Sequence, residues 1–327
     1  MSASTRKILI TPPNFDAAAL AFLRANGCEP VLPGVAESSL SRDDLAALLG
    51  DCAGWIIGPQ ADVTRALVEA APACKVFVRR GVGYERLDVK AIAERGGAAM
   101  IASGGNDESV ADHVIGLMLA VARRVREQHL AMLAGDWSIR VSGDLYGKTV
   151  GIVGLGRTGR ALARRLRGFA TRTLAATPRP DADFAGANAI RLTDLASVLQ
   201  ESDFISLHAP LNPQTRHMIG ERELATMKSG AILINAGRGG LVDDAALLKA
   251  LRSGKLGGAG LDVYESETDP ALKPVALELL ALPNVVGTPH SAASTREGLA
   301  RTNLIAARCV IAALDGSTPP PGCLIEV

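Results

Sequence analysis

Short apolar runs recur along the chain, at Lys7–Thr11, Gly54–Ile57, Lys75–Val78 and Ala98–Ile101, and predict β-strands. Between them lie Ala- and Leu-rich stretches with helical spacing, such as Asp16–Ala25 and Thr64–Ala71. Alternation of this kind specifies a parallel sheet covered by helices. A long helical segment, Ser109–Ala134, leads into a second series of strands at Thr149–Val153, Arg172–Ala176, Asp203–Leu207, Ala231–Asn235, Gly260–Val263 and Val285–Thr288. A last helix is predicted over Thr295–Leu314, before the breaker Thr318-Pro-Pro-Pro-Gly322. The pattern therefore gives α/β architecture with two doubly wound parallel sheets. The chain ends soon after the second series, so the last helix is expected to return to the first. That divides the chain into a discontinuous domain, 1–103 with 292–327, and a central one, 104–291.

The run Thr149-Val-Gly-Ile-Val-Gly-Leu-Gly-Arg-Thr-Gly159 is an apolar strand ending in three spaced glycines, and a helix-forming segment follows at once. The first glycine permits a tight turn, the second lets backbone approach a pyrophosphate, and the third lets helix pack on strand. The helix start faces the phosphates with bare N–H groups. This is a dinucleotide site in the central domain.

Bulk properties narrow the remaining possibilities. The 327 residues suit two domains, 48% are hydrophobic and 21% charged, and the net charge is +1. No run of like charge offers a footprint for nucleic acid or an acidic membrane, which points to small-molecule chemistry. Cys28, Cys52, Cys74, Cys309 and Cys323 are scattered and never form a C-x-x-C pair, so neither a disulfide framework nor a metal site is expected. No signal-like segment stands at Met1–Lys7 and no apolar stretch has membrane-spanning length, which suggests a cytoplasmic protein.

Three further segments end strands with reactive side chains. Ile232-Leu-Ile-Asn-Ala-Gly-Arg238-Gly-Gly240 delivers an arginine among glycines, able to hold a carboxylate through two parallel hydrogen bonds. Gly257–Glu267 opens a buried-looking strand into Asp262, Glu265 and Glu267. Asn284–Ala293 ends at His290, the best placed of five histidines. A histidine beside a carboxylate can hold a proton at neutral pH and pass it to a developing alkoxide. All three lie at strand carboxyl ends, the edge where such sheets bind ligands.

Together with Arg79-Arg-Gly-Val-Gly-Tyr-Glu-Arg-Leu-Asp88, Asn106-Asp-Glu-Ser-Val-Ala-Asp-His113, Gly147–Gly159 and Leu207-His-Ala-Pro-Leu-Asn-Pro-Gln-Thr215, these segments resemble the D-isomer-specific 2-hydroxyacid dehydrogenases nearly end to end. The family includes phosphoglycerate dehydrogenase and the glyoxylate and hydroxypyruvate reductases. The resemblance implies an active-site cleft between the two domains, with Arg238 on the substrate carboxylate and carbonyl. His290 is then the general acid/base and Glu267, rather than Glu265, its partner. It implies substrate contacts at Arg79, Val82, Gly83 and Asn106. Cofactor contacts are implied at Gly154, Leu155, Gly156, Arg157, Thr158 and Gly159, at His208, Ala209, Pro210 and Thr215, and at Ala236, Gly237 and Asp262.

The implied reaction is hydride transfer between a nicotinamide cofactor and a small 2-keto acid to give a D-2-hydroxy acid, as in glyoxylate and hydroxypyruvate reductases. A phosphoglycerate dehydrogenase-like enzyme is the alternative, and a non-catalytic dinucleotide-sensing corepressor a second. Domain closure would hinge near Ser103–Asn106 and His290–Thr295. A homodimer is implied, with the apolar helix from His113 onward as a contact surface. Two positions depart from the family: Thr268 replaces a usual proline, and Arg80 a small or aromatic residue.

Cofactor choice rests on the residues themselves. Selection of NAD uses an acid ~20 residues beyond the glycines to grip the ribose 2′-OH. Here the second strand of the central domain runs into Thr177-Pro-Arg179-Pro, a hydroxyl and a guanidinium that suit a 2′-phosphate. NADP(H) is favoured over NAD(H).

Overall fold

Apolar strands with little polar interruption can be stable only when both faces are covered, and that requirement organises the whole chain. The computed structural model describes residues 6–326. It divides into two compact units, one built from the chain up to Asn106 and from Ser294 onward, the other from Asp107–Ala293. Among the described residues no helix is long and apolar enough to cross a membrane.

The first unit carries five parallel strands: β1 (Arg6–Ile10), β2 (Cys28–Val31), β3 (Gly54–Ile57), β4 (Val76–Arg79) and β5 (Ala98–Ile101). Their order is β2-β1-β3-β4-β5. Strand β2 escapes the periodicity reading because it is a half-exposed edge strand holding Pro30, which only an edge tolerates. The helices start on side-chain caps: Asp16 accepts from Ala18 and Ala19, and Thr64 from Leu67. Helix Arg296–Asp315 is capped by Thr295 and packs on helix Ala17–Ala25 and on β4, so the chain's last helix does return to the first sheet. Beyond it, Ile101 N–H donates to Cys323 O and Ile325 N–H to Ala99 O, which lays the tail antiparallel along β5. All five cysteines are buried free thiols.

The second unit carries seven parallel strands: β6 (Thr149–Val153), β7 (Arg172–Ala176), β8 (Ile190–Leu192), β9 (Phe204–Leu207), β10 (Ala231–Asn235), β11 (Leu256–Leu261) and β12 (Val285–Gly287). The order β12-β11-β10-β9-β6-β7-β8 reverses direction at β6 and β9, which opens a crevice at their carboxyl ends. Strand β8 was hidden because it is three residues long on an edge. Strand β11 begins at Leu256 rather than Gly260, masked by glycines that carry no strand signal. Those glycines answer to packing. A Cβ on Gly258 would stand 2.5 Å from Val121, and one on Gly260 2.9 Å from Leu117.

The long segment expected over Ser109–Ala134 is two helices, Asp107–Ala122 and Val125–Leu133. The break falls at Arg124, whose φ of 51° is left-handed. Arg126, just beyond, donates to the carbonyls of Leu280, Leu282 and Val285, a tertiary anchor invisible to local pattern.

Candidate active site

The glycine loop leaves β6 through Gly154 at φ 99°. A Cβ there would lie 2.6 Å from His208 O, and one on Gly159 would lie 2.2 Å from Gly154 O, so turn and helix–strand contact both exclude a side chain. Around Gly156 there is open space, as close approach by a phosphate requires. Helix Arg157–Leu166 begins at Gly156 with no side-chain cap, leaving its first N–H groups for an anion. These residues fit a dinucleotide pyrophosphate. Leu155 is buried in the core of this unit, Thr158 half-buried and Arg157 exposed, so the loop offers backbone more than side chains.

His208 follows β9 across the crevice, with Nε2 2.9 Å from Ser206 Oγ. Burial pushes its imidazole down to about 4, so it is neutral at physiological pH. Ala209 and Pro210 lead into a turn closed by Thr215, whose hydroxyl donates to Pro210 O at 2.6 Å.

At the end of β7, Thr177 Oγ1 accepts from Arg179 N–H, and the Arg179 side chain is exposed. The nearest acid beyond the prolines, Asp181, caps helix Ala182–Ala187 by accepting from Phe184 and pairs with Arg160 at 2.9 Å. Arg160 in turn lies 4.7 Å above the Phe184 ring. The Phe184 N–H bond, then Arg160, hold Asp181 below the usual carboxylate range.

The three reactive side chains come from β10, β11 and β12, neighbours in the sheet. Ala236 and Gly237 carry the chain from β10 to Arg238. Buried Asn235 pins this loop, accepting from Gly237 N–H at 3.1 Å and donating to Arg238 O at 3.0 Å. Arg238 Nη1 donates to Gly237 O, and the residue is half-buried.

Asp262, at the tip of β11, is 1% exposed and builds the turn that presents His290. Its Oδ1 accepts from Thr288 Oγ1 at 2.5 Å and Ser291 N–H, its Oδ2 from Ala292 N–H. His290 N–H donates to Asp262 O at 2.7 Å, and His290 sits at φ 52°, a left-handed conformation that this clamp sustains. His113 Nε2 reaches Thr288 Oγ1 at 2.9 Å from the far side.

His290 Nδ1 lies 2.6 Å from Glu267 Oε2, while Glu267 Oε1 accepts from Tyr264 N–H. The hydrogen bond that the imidazole donates to Glu267 holds His290 above its usual value against the opposing effect of burial. Burial would raise Glu267, but the bonds from His290 and Tyr264 outweigh it and lower the carboxyl. So paired, the imidazole can hold a proton and pass it on, and it stands beside a cavity of about 460 Å³ lined by Tyr264, Leu280 and Thr288 among others. Glu265 faces the other way, 2.6 Å from His217 Nε2. Thr268, in place of proline, closes the turn by donating its hydroxyl to Glu265 O.

Arg79, Val82, Gly83 and Asn106 belong to the other unit. Arg79 ends β4 and donates Nε–H to Gly83 O at 3.0 Å, bracing the loop that contains Val82. Arg80 Nη1 donates to Pro13 O, and burial pushes its guanidinium down to about 10. Asn106 is half-buried at the end of its segment. Asp244, His217 and Thr288 were not singled out from sequence, because nothing local marks a side chain whose partner is tens of residues away; Asn235, whose partners are two and three residues on, reads locally as one more strand residue.

Residues 115–292 match the family model described as D-isomer specific 2-hydroxyacid dehydrogenase, NAD binding domain. Glyoxylate reductase of Korarchaeum cryptofilum is 38% identical over 290 residues, covering 87% of this chain and 86% of that protein. D-3-phosphoglycerate dehydrogenase of Methanocaldococcus jannaschii is 37% identical over 313 residues, 95% of this chain but only 58% of that protein, so the chain spans little more than half of that relative. D-lactate dehydrogenase from Aquifex aeolicus, solved in complex with NAD and lactic acid, superposes with a TM-score of 0.84 at 26% identity, covering 98% of this chain and 99% of that one. With this agreement over nearly its whole length, the chain belongs to the D-isomer-specific 2-hydroxyacid dehydrogenase family.

Proposed function

We propose that this chain is an oxidoreductase interconverting a small 2-keto acid and its D-2-hydroxy acid, of the glyoxylate/hydroxypyruvate reductase kind. The 2.6 Å pairing of His290 with Glu267, on a strand tip next to the one bearing Arg238, carries the reading. When bound, the dinucleotide supplies the hydride equivalent that the carbonyl carbon takes up. Arg238 holds the carboxylate and polarises the carbonyl, so negative charge gathering on that oxygen is met by a fixed cation. His290 keeps Nδ1 toward Glu267 and passes the proton on Nε2 to the oxygen. Asp262 keeps the imidazole aimed. Arg79, Val82, Gly83 and Asn106, which the family resemblance implies as substrate contacts, are carried by the other unit, where Arg79 braces the loop that contains Val82. Initial rates with glyoxylate, hydroxypyruvate, pyruvate and oxaloacetate, using NADPH and NADH and chiral analysis of the product, test this. Absence of turnover with every pair, or an L-product, would overturn it.

NADPH is the favoured cofactor. Asp181 is paired with Arg160 and caps its helix, which offsets the charge that would repel a 2′-phosphate, while Arg179 stands exposed and Thr177 half-buried at the end of β7. Arg179→Ala is expected to raise the KM for NADPH about 10- to 100-fold, the worth of one or two charge-assisted hydrogen bonds, and leave that for NADH within about threefold. Equal KM values for the two cofactors in the unmodified protein would refute the preference.

A second copy of the chain completes the particle. The apolar stripe of helix Asp107–Ala122, expected as the contact, is instead consumed internally: Val114, Leu117, Met118 and Val121 are buried within their own unit. The exposed apolar groups lie just beyond, where no residue of helix Val125–Leu133 is buried and Trp137, Ile139 and Val141 are 74%, 97% and 88% exposed. So concentrated a patch marks an interface. Ile139→Asp should shift the sedimenting species from two chains to one; a single 33.9 kDa chain before mutation would dispose of the dimer.

A further inference from the structure

Glu265 was the rival to Glu267 in the sequence, and the structure gives it a separate environment. It is 4% exposed, and a buried carboxylate is tolerated only when its oxygens are satisfied. Oε1 lies 2.6 Å from His217 Nε2 and 3.4 Å from Arg216 Nη2, and Oε2 accepts from Asp244 N–H at 3.1 Å. Asp244, also 4% exposed, answers by accepting from Glu265 N–H at 3.0 Å. Each of the two residues thus binds the other's backbone.

The segments joined in this way are those that carry the proposed chemistry. Asp244 closes the loop that begins at Arg238, and Glu265 opens the turn that ends at Glu267. Between them the backbones touch, since a Cβ on Gly239 would stand 2.0 Å from Tyr264 O. The His217 segment zips along the same loop: His217 N–H donates to Gly240 O, Ile219 N–H to Leu241 O, and Asp243 N–H to Ile219 O. His217 itself adopts φ 51°, a conformation that surrounding contacts must hold.

We propose that Glu265, tied to His217 and Asp244, is a positioning residue that sets the spacing between Arg238 and the Glu267–His290 pair. It touches neither substrate nor cofactor. Its consequence for rate rests on the redox reading above; its consequence for His290 does not. Burial pushes the Asp244 carboxyl up to about 6, and the neighbouring Glu265 carboxylate adds to that rise.

The test uses the full chain and compares Glu265→Ala, Glu265→Gln and His217→Gln with the unmodified protein. Three quantities are followed: the His290 imidazole titration by NMR, kcat and KM for the keto acid, and the Kd for NADPH. In Glu265→Ala the His290 titration should fall toward the usual imidazole value, and kcat/KM should drop about 100-fold, as for a displacement of about 1 Å, while the Kd for NADPH stays within about twofold. Glu265→Gln should recover most of the loss, because its amide oxygen still accepts from Asp244. His290 titration and kinetic constants unchanged in Glu265→Ala would overturn the proposal, as would loss of cofactor binding in step with activity. Should the alanine variant fail to fold, an unaltered His290 titration in both Glu265→Gln and His217→Gln overturns it equally, and a lowered one in His217→Gln sustains it. If the unmodified protein reduces no 2-keto acid, the functional reading falls, and the His290 titration in the variants still decides the positioning role.

Discussion

Replacing His290 by alanine should lower kcat for keto-acid reduction by about 10²- to 10⁴-fold, the usual worth of a positioned general acid. The Kd for NADPH should be nearly unchanged, because the glycine loop and the Thr177–Arg179 turn lie on other strands. The pH profile gives the sharper test. Reduction needs the imidazolium, and Glu267 holds the His290 pKa above its usual value. The rate should therefore be flat at low pH and decline as pH rises through that raised pKa. In Glu267→Gln the acceptor loses its charge, and the decline should move to lower pH. The same sign governs the stability supplied by the pair: from the histidine side it is fully present below the unfolded pKa and is lost as pH rises through the folded one. From the glutamate side, whose pKa is lowered, it is present above the unfolded value and lost on acidification. A profile for Glu267→Gln that superimposes on the original would remove Glu267 from the proton relay, and a His290→Ala enzyme within about threefold of the original would remove the histidine.

Arg238→Lys should cost about 10²- to 10³-fold in kcat/KM for the keto acid, although the charge is kept. Lysine offers a single ammonium centre, whereas the guanidinium presents parallel donors to carboxylate and carbonyl together. The loop itself should persist, since Asn235 grips its backbone and Gly237 and Gly239 fit against Leu207 and Tyr264 without regard to the side chain at 238. The loss should thus be kinetic, with the melting temperature barely moved. Retention of kcat/KM within about threefold would show that electrostatic attraction alone suffices and that the fork is not required.

Much of the architecture could be read from local pattern because buried parallel strands are nearly unbroken apolar runs, as β6 and β10 are. The reading failed where packing overrode propensity. The first half of strand β11 carried no strand signal because Val121 demands glycine at position 258. The helix break at Arg124 is set by Arg126 reaching carbonyls more than 150 residues away. The Glu267–His290 pairing became legible only through a family pattern, since two acids two residues apart cannot be told apart by composition. The Glu265–Asp244 exchange had no local signature at all. It joins positions 21 residues apart through backbone groups, which no spacing rule reads.

The tail residues lying along β5 bear on how this protein behaves at high concentration. A bare outermost strand is an invitation to another molecule's strand, and from there to aggregates. With Cys323 and Ile325 bonded across it, β5 has no open row of main-chain donors to offer. Shortening the chain by even its final few residues would reopen that row, so solubility is expected to suffer before catalysis does.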